Sequence, residues 1–435
     1  MAGSGNGASS GGMGLDDMVM ISIDDHVIEP TDMFDRHMPA RYRDDAPRYV
    51  HDEATGEGHW EYQGQVTGMS GLGAVASWPH EEWDMDPVGF PEMRPATYDA
   101  DLRVRDMDAN GQLAGMCFPT FAGFNGMSLA RSTVDRDLTD AVVAAYNDWH
   151  VDELAGGHPG RFIPLGILPV YDPASMVTEI NRLGKKGVTA VSLPETPYGV
   201  GLPAFDEDGY WDPVFAALCD NDIAMCLHIG GAFGLLNRPK TAGVDHLIVL
   251  APQLSAITAA DLMVGGTFVR FPDLKVALSE GGIGWIPFFL DRMDRHMWNH
   301  RWTGLEVAKG KTPTELFRSN FLGCFITDPS SLRVRDRIGL ESIAWECDYP
   351  HSDSTWPRSP ELLWDEFQAA GCSDREVEAI TWENACRFFR YDPFAVIPRE
   401  QASVGALRAR ATDVDVDETS KAEYRRRWAA AHAAA

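Results

Sequence analysis

Basic residues are scarce in this chain: 37 Lys and Arg stand against 65 Asp and Glu, a formal charge of −28. That balance excludes nucleic acid and anionic membrane as partners, because both are held by basic surfaces. Cysteine is sparse as well. Cys117, Cys219, Cys226, Cys324, Cys347, Cys372 and Cys386 are odd in number and form no Cys-x-x-Cys pair, so no disulfide framework is expected and the thiols fit a reducing cytoplasm. No apolar run approaches the length of a membrane span. The opening "MAGSGNGASSGGMG" lacks both the basic start and the apolar core of a secretory signal, and residues 1–18 are expected to form a flexible tail.

Apolar residues, at 44% of 435 positions, suffice for a large core. They fall in short runs: 19–25, "LAGMCFPT" (113–120), "RFIPLGILP" (161–169), "KGVTAVSLP" (186–194), "DIAMCLHIG" (222–230), "LKVALSEGG" (274–282) and "ESIAWECDYPH" (341–351). Each reads as a buried strand, and most intervals can hold a helix. Seven such units are one short of an α/β (β/α)8 TIM barrel, whose chemistry sits at the C-terminal strand ends. The barrel is expected over 19–395. Within it, residues 31–100 form an insertion with Trp60, Trp78 and Trp83, too long for an ordinary connection and suited either to a lid or to a structural flap. His80 in that insertion reads as a surface residue or as a group delivered by the lid. The charged, Ala-rich segment 396–435 is expected to wrap the barrel or a neighbour, or to be partly disordered.

The polar residues gather at the strand ends. In "ISIDDHVIEP" a period of two puts Asp24 and His26 on one face of the first strand and Asp25 on the other. His228 ends the strand at 222–230, Glu280 the next, and Asp348 the last, followed by Pro350 and His351. Taken singly, His228 could be a satisfied core histidine and Glu280 the partner of an arginine. Taken together, several carboxylates buried in one place need a cation. Asp24, His26, His228, Glu280 and Asp348 are therefore the expected metal ligands.

These motifs resemble the amidohydrolase superfamily, in its branch of metal-dependent decarboxylases and hydrolases. "IDDHVIEP" is similar to that branch's first-strand ligands, "CLHIGG" to its strand-five His, "ECDYPHSDSTWP" to its terminal Asp with the following Pro-His, and "ENACRFF" to its closing helix. The resemblance implies a divalent metal, with Asp348, Glu280 and His351 as catalytic candidates. It implies no carbamylated Lys, since "VTAVSLPE" offers none. One departure stands out: Glu280 occupies the place where the branch usually has a His.

Two mechanisms compete. In one, a single Zn or Mn ion activates water or chelates a carboxylated substrate, Asp348 acts as base, and the enzyme is a hydrolase or decarboxylase. In the other, the carboxylate-rich set holds two Fe ions that activate dioxygen, as in non-haem di-iron monooxygenases built on this fold. Glu280 favours the second, a monooxygenase acting on a bulky apolar acid or acyl thioester beneath the aromatic lid. An electron donor is then expected as a partner, and a homo-oligomer as the assembly.

Overall fold

The computed structural model describes residues 12–52, 57–67, 71, 73–84, 87–207, 209–231, 243–303 and 310–432. Most of the expected N-terminal tail lies outside them. Eight parallel strands follow one another: β1 (Ile21–Val27), β2 (Ala114–Pro119), β3 (Leu165–Ile167), β4 (Ala190–Pro194), β5 (Ala224–His228), β6 (Val276–Ser279), β7 (Phe321–Phe325) and β8 (Ile343–Trp345). β1 pairs with β2, and β3 to β8 form one sheet in chain order. Backbone hydrogen bonds close both seams. Gly115 N donates to Arg161 O (3.0 Å) and Ile163 N to Gly115 O (2.9 Å) between β2 and β3. Asp348 N donates to Asp24 O (2.8 Å) and His26 N to Tyr349 O (2.7 Å) between β8 and β1. The architecture is the (β/α)8 barrel.

The eighth strand, β7, is the one the sequence hides. It begins directly where the helix Pro313–Asn320 ends, so no turn residues mark its start. Elsewhere the helices announce themselves. Asp99, Asp135 and Asp172 cap α1 (Ala100–Asn110), α2 (Arg136–Asp148) and α3 (Pro173–Lys185), each carboxylate accepting from the backbone N–H three residues on. Alternation along the strands splits the core into two layers. Ile23, Met116, Ala190, Cys226, Ala277 and Cys324 pack together inside the barrel. Val191, Leu193, Leu227, Leu278 and Phe325 join the cluster that contains the helix residues.

The insertion packs its apolar residues onto the barrel and the C-terminal segment. Arg48–His51, Gly58–Tyr62 and Gln65–Thr67 form an antiparallel sheet. Trp60 is buried against Phe34, Tyr49 and Phe121, and Trp78 is buried with its indole N–H on Glu92 O. These two tryptophans are structural rather than a cover for an apolar ligand; Trp83 alone is partly exposed. One part of the insertion does reach the barrel mouth. Val75 N and Ala76 N both donate to Pro350 O (3.1 Å), and Gly73 lies so close to the His351 ring that a Cβ there would meet it at 2.9 Å.

The C-terminal segment clamps this arrangement. Val404 N donates to Met18 O, while the helix Lys421–His432 lies on the insertion, with Lys421 over the Trp78 ring, Arg425 on Glu92 and Tyr424 on Ser77. Among the described residues no single helix is long and apolar enough to cross a membrane.

Insertion and barrel meet at a buried hub. Arg94 makes two hydrogen bonds to Asp106 on α1 (2.5 and 2.7 Å), and Tyr349 donates to the same carboxylate (2.7 Å). The Arg94 guanidinium also lies 4.6 Å over the Trp356 ring. Removing one partner of such a pair strands the other without compensation. Arg94→Ala is expected to cost about 3–5 kcal/mol in urea unfolding. The double variant Arg94→Ala/Asp106→Ala should recover part of that loss, and an Arg94→Ala protein with wild-type stability would show that the hub is not a structural pin.

Candidate metal centre

A bulge aims the first ligands. β1 pairs Ser22 with Gly115 and Asp25 with Cys117, so three steps on β1 match two on β2. The extra residue shifts the alternation, and Asp24 and His26 turn inward above Ile21 and Ile23. Asp25 turns out of the barrel, where it accepts from Gln112 (2.7 Å), Ser22 (3.1 Å) and Tyr349 N (3.2 Å). Burial raises its carboxyl to about 6, with nearby Arg103 opposing the rise. Glu29 is structural as well. It accepts from Thr120 N (3.0 Å) and Phe121 N (2.9 Å) and so fixes the loop after β2, while burial holds it at about 7.

His228, the last residue of β5, has its tautomer set by the backbone. Nδ1 lies 2.5 Å from Ile229 O, which can only accept, so Nδ1 carries the proton and Nε2 offers a lone pair to the barrel axis. His228 Nε2 is 3.2 Å from His26 Nε2 and 3.3 Å from Asp24 Oδ2. His26 Nε2 is in turn 3.5 Å from Asp24 Oδ1 and 3.1 Å from Asp348 Oδ1. His351 Nδ1 is 2.9 Å from Asp348 Oδ1, and its ring stacks on His26 at 3.7 Å. Glu280 stands at the edge, 3.6 Å from His228 Nε2 and with its side chain 20% exposed. The structure thus brings together all six residues singled out in the sequence.

Two of them are held against their backbone preference. Glu280 (φ 56°) and Asp348 (φ 60°) occupy the left-handed region, a conformation that costs a side-chain-bearing residue free energy and persists where the surroundings impose it. The twist after each strand turns both carboxylates toward the histidines.

Sequence reasoning missed Glu346. It is fully buried one step below Asp348, and its Oε2 accepts from Glu280 N (3.2 Å). The signal was present: in "ECDYPH" Glu346 and Asp348 are two apart and share the inward face. Phe118 and Phe124, whose rings border His26 and His228, were also passed over, because nothing in their local sequence sets them apart from core.

Electrostatics explains what this cluster needs. Burial, then repulsion from Glu346, Asp348 and Glu280, holds Asp24 well above the ordinary carboxylate range. Burial chiefly raises Asp348, Glu280 and Glu346 likewise. The same desolvation lowers His26 well below its usual value and pushes His228 down to about 3. Protein alone therefore favours protonated acids and neutral imidazoles. The oxygens of Asp24 and Asp348 nevertheless accept no hydrogen bond of good geometry. A divalent cation held by Asp24, His26 and His228 fits this set: it would supply Asp24 with its missing partner, face the His228 lone pair and favour the ionised form of Asp24. Asp24, His26 and His228 form one group of mutually close donors, and His26, Asp348 and His351 a second that shares His26.

A parallel barrel with imidazole and carboxylate donors converging at its strand ends defines a class, and the chain belongs to it: the amidohydrolase family model matches residues 50–391. The protein is an enzyme of that family. It is 26% identical over 338 residues to the gamma-resorcylate decarboxylase of Polaromonas sp. (strain JS666 / ATCC BAA-500), covering 71% of this chain and 95% of that one. In fold it is similar to an amidohydrolase from Mycobacterium avium subsp. paratuberculosis K-10, with TM-score 0.65 and 22% identity over 85% of this chain and 99% of that one. It is similar also to the 5-carboxyvanillate decarboxylase of Novosphingobium aromaticivorans DSM 12444, solved with manganese and 4-hydroxy-3-methoxy-5-nitrobenzoic acid. There the TM-score is 0.58 and the identity 20%, over 87% of this chain and 98% of that one. These findings overturn the expected di-iron monooxygenase: the Polaromonas relative is a gamma-resorcylate decarboxylase, and the Novosphingobium structure is a decarboxylase solved with manganese. Glu280 misled because counting carboxylates does not count metals.

The charge argument has a direct consequence for stability. A carboxyl raised by folding weakens the folded state once the pH exceeds its unfolded value near 4, and the burden grows as pH climbs toward the folded value. In chelator, Asp24→Asn is therefore expected to melt near wild type at pH 4 and roughly 1–3 °C above it at pH 8. With manganese added, its gain in melting temperature should be smaller than that of wild type. Equal gains in the two proteins would remove Asp24 from the site.

Proposed function

We propose that the protein is a divalent-metal-dependent decarboxylase of a hydroxylated aromatic carboxylic acid, with manganese as the metal. The observation that carries this reading is the buried convergence of Asp24, His26 and His228 beside Asp348, whose carboxyl is raised. The gamma-resorcylate and 5-carboxyvanillate decarboxylases among the relatives supply the substrate class.

In this reading Asp24, His26 and His228 would hold the ion, which when bound would supply Lewis acidity toward the acid substrate. Glu280 stands beside His228 at the rim. Asp348 supplies the proton. Kept protonated by its dry surroundings, it donates to the ring carbon that bears the carboxylate; a C–H bond forms at the expense of a ring π pair. The C–C bond then breaks, its electron pair restores the aromatic ring, and carbon dioxide leaves. His351, at 2.9 Å and with its side chain 11% exposed, returns a proton from solvent to Asp348. No electrons are gained or lost, so the electron donor expected for an oxygenase has no part.

Protein purified without added metal and analysed by plasma spectrometry should carry about one manganese per chain. It should release carbon dioxide from 2,6-dihydroxybenzoate, 5-carboxyvanillate or a close analogue. Asp348→Asn should lower kcat by about 10²–10⁴-fold with the metal retained, whereas His228→Ala should lose the metal with the fold intact. Fully loaded enzyme that decarboxylates no member of such a panel would sink this reading.

A further inference from the structure

Two rings border the imidazoles of the centre. Phe118 lies in β2 and is fully buried beneath the histidines. Phe124 lies on the loop after β2 and remains partly exposed. Its ring is 4.4 Å from that of His228, 4.6 Å from that of His26 and 5.7 Å from that of His351. It therefore lies against all three histidines.

The loop that carries it is rigid. Gly123 N donates to Thr120 O (3.0 Å), Gly126 N to Gly123 O (3.2 Å), and Met127 N to Asn125 Oδ1 (3.2 Å). The Ser192 hydroxyl donates to Phe124 O at 2.6 Å and so ties the residue to β4. Gly126, at φ 78°, lets the chain turn where a Cβ would come within 2.9 Å of Leu168 O. Glu29 anchors the start of the loop through Thr120 and Phe121. An aromatic side chain presented on such a frame gives up little entropy when a ligand packs against it.

We infer that Phe124 is the specificity-determining wall of the substrate pocket: its ring aligns a flat aromatic acid against the metal centre and selects it over an aliphatic one. The inference rests on the aromatic-acid reading above. A ring pair in offset or edge-to-face geometry adds binding beyond the area it buries, by about 3–10-fold in affinity. Leu at this position would keep an apolar contact and lose the face.

The test measures binding, not turnover. Manganese-loaded wild type, Phe124→Leu and Phe124→Tyr are titrated calorimetrically with 4-hydroxy-3-methoxy-5-nitrobenzoic acid and with malonate, an aliphatic chelator. Phe124→Leu should weaken the aromatic probe about 3–10-fold while malonate and manganese affinities stay within about twofold; Phe124→Tyr should restore the aromatic affinity. Wild type that binds the aromatic probe, paired with a Phe124→Leu protein that binds it equally well or loses both probes alike, overturns the assignment of Phe124 alone. Wild type that binds malonate and not the aromatic acid overturns the aromatic-acid reading and this inference with it.

Discussion

Like charges crowded into a dry barrel mouth are the constraint on which the rest of this structure turns. Asp24, Glu346 and Asp348 are essentially buried, and Glu280 nearly so. An isolated ionised carboxylate in such surroundings is prohibitive, so each must be protonated, hydrogen-bonded or bound to a cation. Glu346 has a backbone N–H on one oxygen. Asp24 and Asp348 have none. That difference separates the acid that supports the site from those that face its centre, and it explains why the chain accepts a bulge in β1 and left-handed residues at 280 and 348. Each irregularity turns a carboxylate toward the same point.

An outer ring of bonds holds these irregularities in place. Arg103, buried on α1, donates to His26 O (2.9 Å) and Tyr349 O (3.1 Å), and its guanidinium lies 4.1 Å over the Tyr349 ring. One side chain thus joins the two strands that carry Asp24, His26 and Asp348. Tyr349 passes the constraint to Asp106 and Arg94, and the segment before the C-terminal helix is fastened to the same hub, with Arg94 also donating to Asp415 O. The extension therefore belongs to the stability of the mouth although it lies far from it in sequence.

How much of this was legible follows from what each feature needs. Period-two alternation depends on near neighbours only, so seven strands could be read directly, with room for helices in most intervals. β7 could not, because helix passes to strand at Asn320–Phe321 with no loop between them. The candidate cluster was visible because Asp24, His26, His228 and Asp348 are costly where they stand, and cost shows in sequence as a charge in an apolar run. Glu346 carried the same mark and was overshadowed by its neighbour. Phe124 carried none: whether a phenylalanine lines a core or a pocket is decided by which loops meet around it, and that is a property of the closed barrel. Trp60 and Trp78, for which a lid and a structural flap were both open, are buried where the insertion meets the barrel and the C-terminal segment.

Glu280 is the instructive residue. As a charge it suggested a second metal and oxygen chemistry. In the folded protein it sits at the rim, its backbone N–H bound to Glu346 and its carboxyl 3.6 Å from His228. An oxygenase would need electrons from outside, and a hydrolase a water delivered to a carbonyl. A decarboxylase needs only a cation to grip the acid and a proton held ready in a dry place. Burial raises the carboxyls of this site first and repulsion from neighbouring acids adds to it, so the same desolvation that makes them expensive as anions favours their protonated form. The site's acidity, taken at first as a surplus of metal ligands, also reflects a mouth dry enough to hold its carboxyls well above their ordinary range.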